Sequence, residues 1–161
     1  MPKSIRVGMS EIVVAEAPDI LVTIGLGSCI GVCVYDPVIK VGGMAHIMLP
    51  DSTAAKEVTN RGKFADTAIP DLVELMQKKG AIKQRMLVKK AGGAQMFAYP
   101  GTNSQTHIGY RNAVAAEKAL EALGLRVSGK SIGGHSGRSI YMDLATGVIR
   151  VKTLNSPEII L

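Results

Sequence analysis

T-I-G-L-G-S-C-I-G-V-C-V-Y-D-P-V-I-K-V-G-G-M-A-H-I-M-L-P, residues 23–50, decides how the rest of the chain is read. The β-branched run Ile20–Ile24 enters it and breaks at Gly25-Leu26-Gly27-Ser28. Cys29 stands just past that glycine-rich corner, before a second apolar run, Ile30–Tyr35. Asp36-Pro37 signals a turn, and a third run carries His46 between Ala45 and Ile47. Short apolar runs bounded by Gly, Pro and Asp are strand signals. The stretch therefore predicts consecutive buried strands with a cysteine at one corner and a histidine on a neighbouring strand.

That juxtaposition has a chemical reading. Backbone N–H groups beside a thiol at a tight turn can lower its pKa from the free value of about 8.5, and they can hold an oxyanion. A cysteine with a histidine on an adjacent strand is the minimal machinery of thiol acyl transfer. Cys33, inside I-G-V-C-V-Y, instead has the surroundings of a buried structural thiol. Four residues along one strand separate the two sulfur-bearing residues by roughly 13 Å, beyond the ~7 Å Cα limit for a disulfide. Cys29 is expected to be a free thiol.

Outward from this stretch, Met1–Val14 reads as short extended segments, and Asp51–Lys63 as a polar, exposed loop beside the site. Ala65–Lys79 carries Ala68, Ile69, Leu72, Val73 and Met76 at helical spacing and closes on Gly80; Pro70 either sits near its start or kinks it. Arg85–Lys90 reads as a strand. Asn112–Leu123 is an amphipathic helix, with Asn112 as its cap and Gly124 as its stop. Leu125–Ser128 is extended, and Ser139–Leu144 with Val148–Thr153 forms a hairpin across Ala145-Thr146-Gly147. The expected class is α/β: a mixed, mainly antiparallel β-sheet core with two or more helices packed on it.

The 161 residues fit a single domain spanning the chain, long enough to bury about two-thirds of its unfolded surface. With two Phe and no Trp, the core must be aliphatic and methionine-filled. No secretory leader or membrane-length apolar run is evident, and two cysteines fit a reducing compartment, so a cytoplasmic protein without membrane insertion is expected. Part of the +6 net charge sits at Lys78, Lys79, Lys83, Arg85, Lys89 and Lys90. Base-stacking aromatics are scarce there, which argues for a solvated basic face and against nucleic-acid binding.

Two motif matches fail on context. G-L-R-V-S-G-K-S, residues 124–131, has the letters of a phosphate loop, but a helix precedes it and a strand-like run lies inside it. G-L-G-S-C-I-G, residues 25–31, resembles a dinucleotide fingerprint, yet its third glycine comes one residue late and no helix can open there. His46, His107 and His135 lack zinc-ligand spacing with either cysteine, so no metal or other cofactor is expected. His107 and His135 read as surface residues in polar or glycine-rich loops.

G-L-G-S-C at 25–29 with G-G-M-A-H-I-M-L-P at 42–50 resembles the chemoreceptor glutamine deamidase family of bacterial chemotaxis, CheD. The likeness continues through Gly92–Phe97, Ile108–Asn112, Gly133-Gly134, Gly137-Arg138 and Thr146–Val148. The resemblance implies a layered α/β fold and a cysteine hydrolase converting receptor glutamines to glutamates. It implies Cys29 as nucleophile, His46 as base and Thr23 as the residue that orients it, with a site-lining role open to Asn112. It further implies two partners, the cytoplasmic domain of chemoreceptors as substrate and the chemotaxis phosphatase CheC. Esterase activity on glutamyl methyl esters follows from the same chemistry, and the rival reading is a module that mainly stimulates CheC. One departure is Ser131-Ile132, where the family usually has an acidic residue before the second Gly-Gly, which leaves the local turn open.

Overall fold

The computed structural model describes residues 1–97 and 107–161. The strands are β1 (Ser4–Arg6), β2 (Ile12–Glu16), β3 (Ile20–Leu26), β4 (Ile30–Asp36) and β5 (Val41–Ile47), followed by β6 (Leu87–Gly92), β7 (Val127–Ile132), β8 (Arg138–Asp143), β9 (Ile149–Thr153) and β10 (Ile159–Ile160). Helices α1 (Ala65–Lys78) and α2 (Ile108–Ala122) flank β6 in the chain. The strands form two five-stranded sheets, ordered β1-β3-β8-β9-β10 and β2-β5-β4-β6-β7. Most neighbours are antiparallel; β1–β3 and β6–β7 are parallel. The sequence reading called for a sheet core with helices on it; the fold divides that core into two sheets.

Every residue of β4 and β5 is buried, because each face of their sheet is covered by a different layer. Alternation sends Ile30, Val32, Val34, Val41, Ala45 and Ile47 to the helix side, against Leu72, Met76 and Leu120. The other parity, Cys33, Tyr35 and Met44, meets Leu21, Leu26, Ile140 and Met142 of the second sheet. The layers are therefore helices, sheet, sheet, with apolar cores on both sides of the middle one. Gly31 keeps the sheets close opposite His46: a Cβ there would lie 2.5 Å from Ile140 Cδ1.

Several boundaries move from the sequence expectation. α1 runs through Pro70. The loop after β5 holds short 3-10 turns at Ser52–Ala54 and Arg61–Lys63, pinned where Leu49 bridges Phe64. β6 starts two residues later than the run suggested, since Lys83–Arg85 form a 3-10 turn. The extended run after α2 is the longer β7, which contains Lys130 and Ser131, so the phosphate-loop match lies on a strand.

The basic cluster is only partly a solvated face. Lys78 and Lys79 are exposed, but Arg85 grips the buried Asp36 through Nε and Nη2. Burial alone would raise the Asp36 pKa; the Arg85 guanidinium and the N–H groups of Ile82 and Val38 outweigh it and hold the carboxylate below its usual range. Lys90 is buried and paired with Glu117, and Lys89 Nζ donates to the Leu161 carbonyl. These cations close the seam between β6, α2 and the last strand, which composition could not reveal.

Candidate active site

Thr23 lies on β3, in the sheet opposite His46. Its register to β8 runs Thr23–Ile140 and then Leu26–Arg138, so Ile24 and Gly25 together oppose Ser139 alone. This bulge resets the alternation. Thr23 and Leu26 both point inward and are fully buried, while Ile24 turns out to solvent. The glycine corner that the sequence displayed is thus a bulge followed by the exit from β3.

His46 faces the same inter-sheet layer from β5 and is 2% exposed. Its backbone is held on the far side by the β2 lead-in, His46 N donating to Glu11 O at 3.1 Å and Ser10 N to His46 O at 2.9 Å. The Thr23 hydroxyl lies 2.8 Å from His46 Nδ1 and donates to the Val7 carbonyl at 2.7 Å. A hydroxyl has one proton, and the carbonyl takes it. Thr23 Oγ1 therefore accepts from Nδ1–H, which places the lone pair on Nε2. Nε2 is buried and has no hydrogen-bond partner among the described residues.

Cys29 precedes the first pair of the β4–β5 ladder, Ile30–Ile47, and Gly31, two residues on, sits opposite His46. It is half-buried against the inter-sheet core, and both cysteines are free thiols as expected. The loop after β6 holds the corner: Gly93 N donates to Cys29 O and Ala94 N to Gly27 O, each at 2.9 Å. Gly92 has φ +118, and a Cβ on it would come within 2.1 Å of the Cys29 carbonyl oxygen. Only glycine allows that approach. Gly133 N donates to Gly92 O at 3.0 Å, and Arg138, itself buried, donates to the carbonyls of Ser131 and Gly133. The departure at Ser131-Ile132 thus ends β7 in an ordered turn.

The electrostatics favour a neutral resting pair. Burial holds the imidazole of His46 below its usual pKa, against the Val7 carbonyl and the Glu11 charge, which raise it. Burial raises the Cys29 thiol, and the residue's own backbone N–H acts in the other direction. The expectation that the corner's N–H groups acidify the thiol is corrected here: desolvation outweighs them. Cys33 is pushed up to about 12, mainly by burial.

Asn112 is also corrected. α2 begins at Ile108, four residues earlier than expected, and its cap is His107, whose Nδ1 accepts from Tyr110 N at 3.1 Å. Asn112 is inside the helix and fully buried, with Nδ2 donating to Ser28 O and Met48 O. The signal for this was present: Asn112, Ala116 and Leu120 are spaced by four, one buried stripe of α2. His135 is exposed, as expected, with Nδ1 3.2 Å from Gln95 O. The structure joins Thr23 to His46 directly and leaves Cys29 at the corner, two residues before Gly31, the residue paired with His46.

Comparison with known proteins bears on this site. A family model described as CheD chemotactic sensory transduction matches residues 48–153. That span starts beyond Thr23, Cys29 and His46, but similar relatives align over nearly the whole chain. A protein of Syntrophomonas wolfei is 47% identical over 158 residues, 98% of each chain. One of Desulfitobacterium hafniense is 48% identical over 98% of each chain, and one of Desulforamulus reducens is 44% identical over 95% of this chain and 92% of the relative. All three are named probable chemoreceptor glutamine deamidase CheD.

Proposed function

The chain belongs to the CheD family, and from that premise we propose that it hydrolyses glutamine side chains of chemoreceptors to glutamate, with Cys29 as nucleophile, His46 as base and Thr23 orienting the imidazole. The observation that supports this most is the Thr23 bridge, which locks Nδ1 as a donor and leaves Nε2 an unpartnered acceptor in a buried site. Such a nitrogen is a general base without a resting partner.

In the proposed cycle the thiol proton passes to His46 Nε2 as Sγ attacks the carboxamide carbon. Backbone N–H groups at the corner hold the oxyanion. The C–N bond breaks as His46 returns the proton to nitrogen, and ammonia leaves a thioester on Cys29. His46 then takes a proton from water, the hydroxide adds to the thioester, and the C–S bond breaks to yield glutamate and the free thiol. The raised thiol and lowered imidazole both favour a neutral pair at rest, so in this cycle proton transfer accompanies attack. A threonine hydroxyl takes the orienting place that a carboxylate or amide fills in other triads. Glutamyl methyl esters would enter the same cycle and release methanol.

Docking of CheC belongs to the same proposal. Met96 and Phe97 are exposed, and Met96 stands over the Gly27 backbone of the corner, an apolar surface suited to a protein partner. Incubating the protein with a receptor cytoplasmic fragment tests the enzyme reading, with ammonia release and the mass gain of carboxamide-to-carboxylate conversion as readouts. Folded Cys29→Ala is expected to release no ammonia. Turnover by that variant at the wild-type rate would overturn the reading and leave the binding module.

A further inference from the structure

If Cys29 and His46 act together, something must hold their strands at a working separation. The β4–β5 ladder does so only as far as Ile30–Ile47. Cys29 lies one residue past that pair. The bonds from Gly93 N and Ala94 N tie the corner to the loop after β6, not to β5.

Asn112 supplies the missing tie. Its Nδ2 donates at 2.9 Å to the carbonyl of Ser28, the residue before the nucleophile, and at 3.0 Å to that of Met48, two residues past the base. A carboxamide nitrogen carries two hydrogens, and both are committed, one just before β4 and one just after β5. The tie falls where the sheet's own strand-to-strand hydrogen bonds have ended. Gly109, three residues before Asn112, seats this end of α2 against the corner loop: a Cβ on it would lie 2.5 Å from Ala94 O and 2.6 Å from Gly93 O.

We propose that Asn112 is a positioning residue that sets the spacing between the Cys29 corner and the His46 strand, so that the thiol proton can pass to Nε2. The inference rests on the Cys29–His46 reading above. In this role Asn112 acts through two backbone carbonyls, those of Ser28 and Met48.

Asn112→Ala, assayed on a receptor fragment, is expected to lower kcat about 100-fold with little change in KM, the scale of a small misplacement of reacting groups. The pH profile of Cys29 alkylation separates this role from simple packing. Wild type should show a step where His46 titrates, His46→Ala should lose it, and Asn112→Ala should follow His46→Ala. Asn112→Ser, which keeps one donor, should fall between the two and serves where the alanine variant does not fold. Leu120→Ala on the same helix should lower Tm while leaving kcat and the alkylation profile unchanged. A folded Asn112→Ala or Asn112→Ser with wild-type kcat and profile would overturn this inference alone. Wild-type protein without turnover would instead overturn the reading on which it rests.

Discussion

The two faces of the β2-β5-β4-β6-β7 sheet are built from the same strands and do different work. The helix face is mostly aliphatic, with Ile30, Val32, Val34, Val41, Ala45 and Ile47 under Leu72, Met76 and Leu120, and its buried charges, Asp36 and Lys90, are paired with Arg85 and Glu117. The inter-sheet face carries Gly31, Cys33, Tyr35, Gly42, Met44 and His46, and its polar groups are individually partnered. Tyr35, for instance, donates to Leu144 O at 2.7 Å. An aliphatic layer tolerates no chemistry but stabilises by burial alone. A layer that holds an imidazole must satisfy most of its polar atoms, and His46 Nε2 is among the few buried atoms left without a partner among the described residues. The difference teaches that the two faces handle buried polarity in different ways: on the helix side buried charges are closed by ion pairs, whereas between the sheets an imidazole keeps one nitrogen without a partner among the described residues.

The sharpest contrast lies within the inter-sheet face, between its two thiols. Cys33, pushed up to about 12 and fully covered mid-strand, should react with iodoacetamide on the order of 10³-fold more slowly than a free thiol of pKa about 8.5. Cys29, half-buried at the corner, should be the residue labelled in the native protein, read by peptide mass spectrometry. Preferential labelling of Cys33 would break the distinction between corner and strand interior.

Next in size is a pair of substitutions, one per face. Leu72→Ala removes a fully buried side chain from the helix layer and should cost about 2–5 kcal/mol of stability while leaving kcat per folded molecule unchanged. Thr23→Ala should cost less stability, about 1–2 kcal/mol. Its rate should nonetheless fall roughly tenfold, less than the ~10²–10⁴ that a general base contributes. Thr23→Ser keeps the hydroxyl and should retain more activity than Thr23→Ala. Denaturant titration beside ammonia release reads both quantities; a folded Thr23→Ala at the wild-type rate reduces the site to a Cys–His dyad.

The smallest expected effect is that of pH. Folding lowers the pKa of His46 below the unfolded value of about 6.5. Between the two values the unfolded chain binds more protons, so stability rises with pH across that window. This contribution is complete above about pH 6.5 and is lost as pH falls through the folded value. His46→Gln should remove that slope from a series of denaturant melts. The acid limb of turnover should likewise have its midpoint below about 6.5; a midpoint above it would mean that the imidazole is charged in the resting site.

Much of this was legible in residues 20–50. Local rules carry strands, corners and turns, because alternation, β-branching and Gly or Pro punctuation act over a few residues. The same holds for the β8–β9 hairpin and the apolar stripe of α1; the motif spacing brought Cys29 and His46 forward as candidates, and the family resemblance added Thr23. Tertiary structure alone decided the division into two sheets, since a run buried on both faces reads the same whatever covers it. It alone decided the Thr23 bulge, which depends on register against β8, a partner more than a hundred residues away in the chain. Asn112 was misread for the same kind of reason: its neighbours in sequence suggest a cap, but its hydrogen-bond partners, Ser28 and Met48, are 84 and 64 residues away. The thiol pKa went the same way. Corner N–H groups are visible in the sequence, whereas desolvation is set by what packs over the corner, and that exists only once the sheets have met.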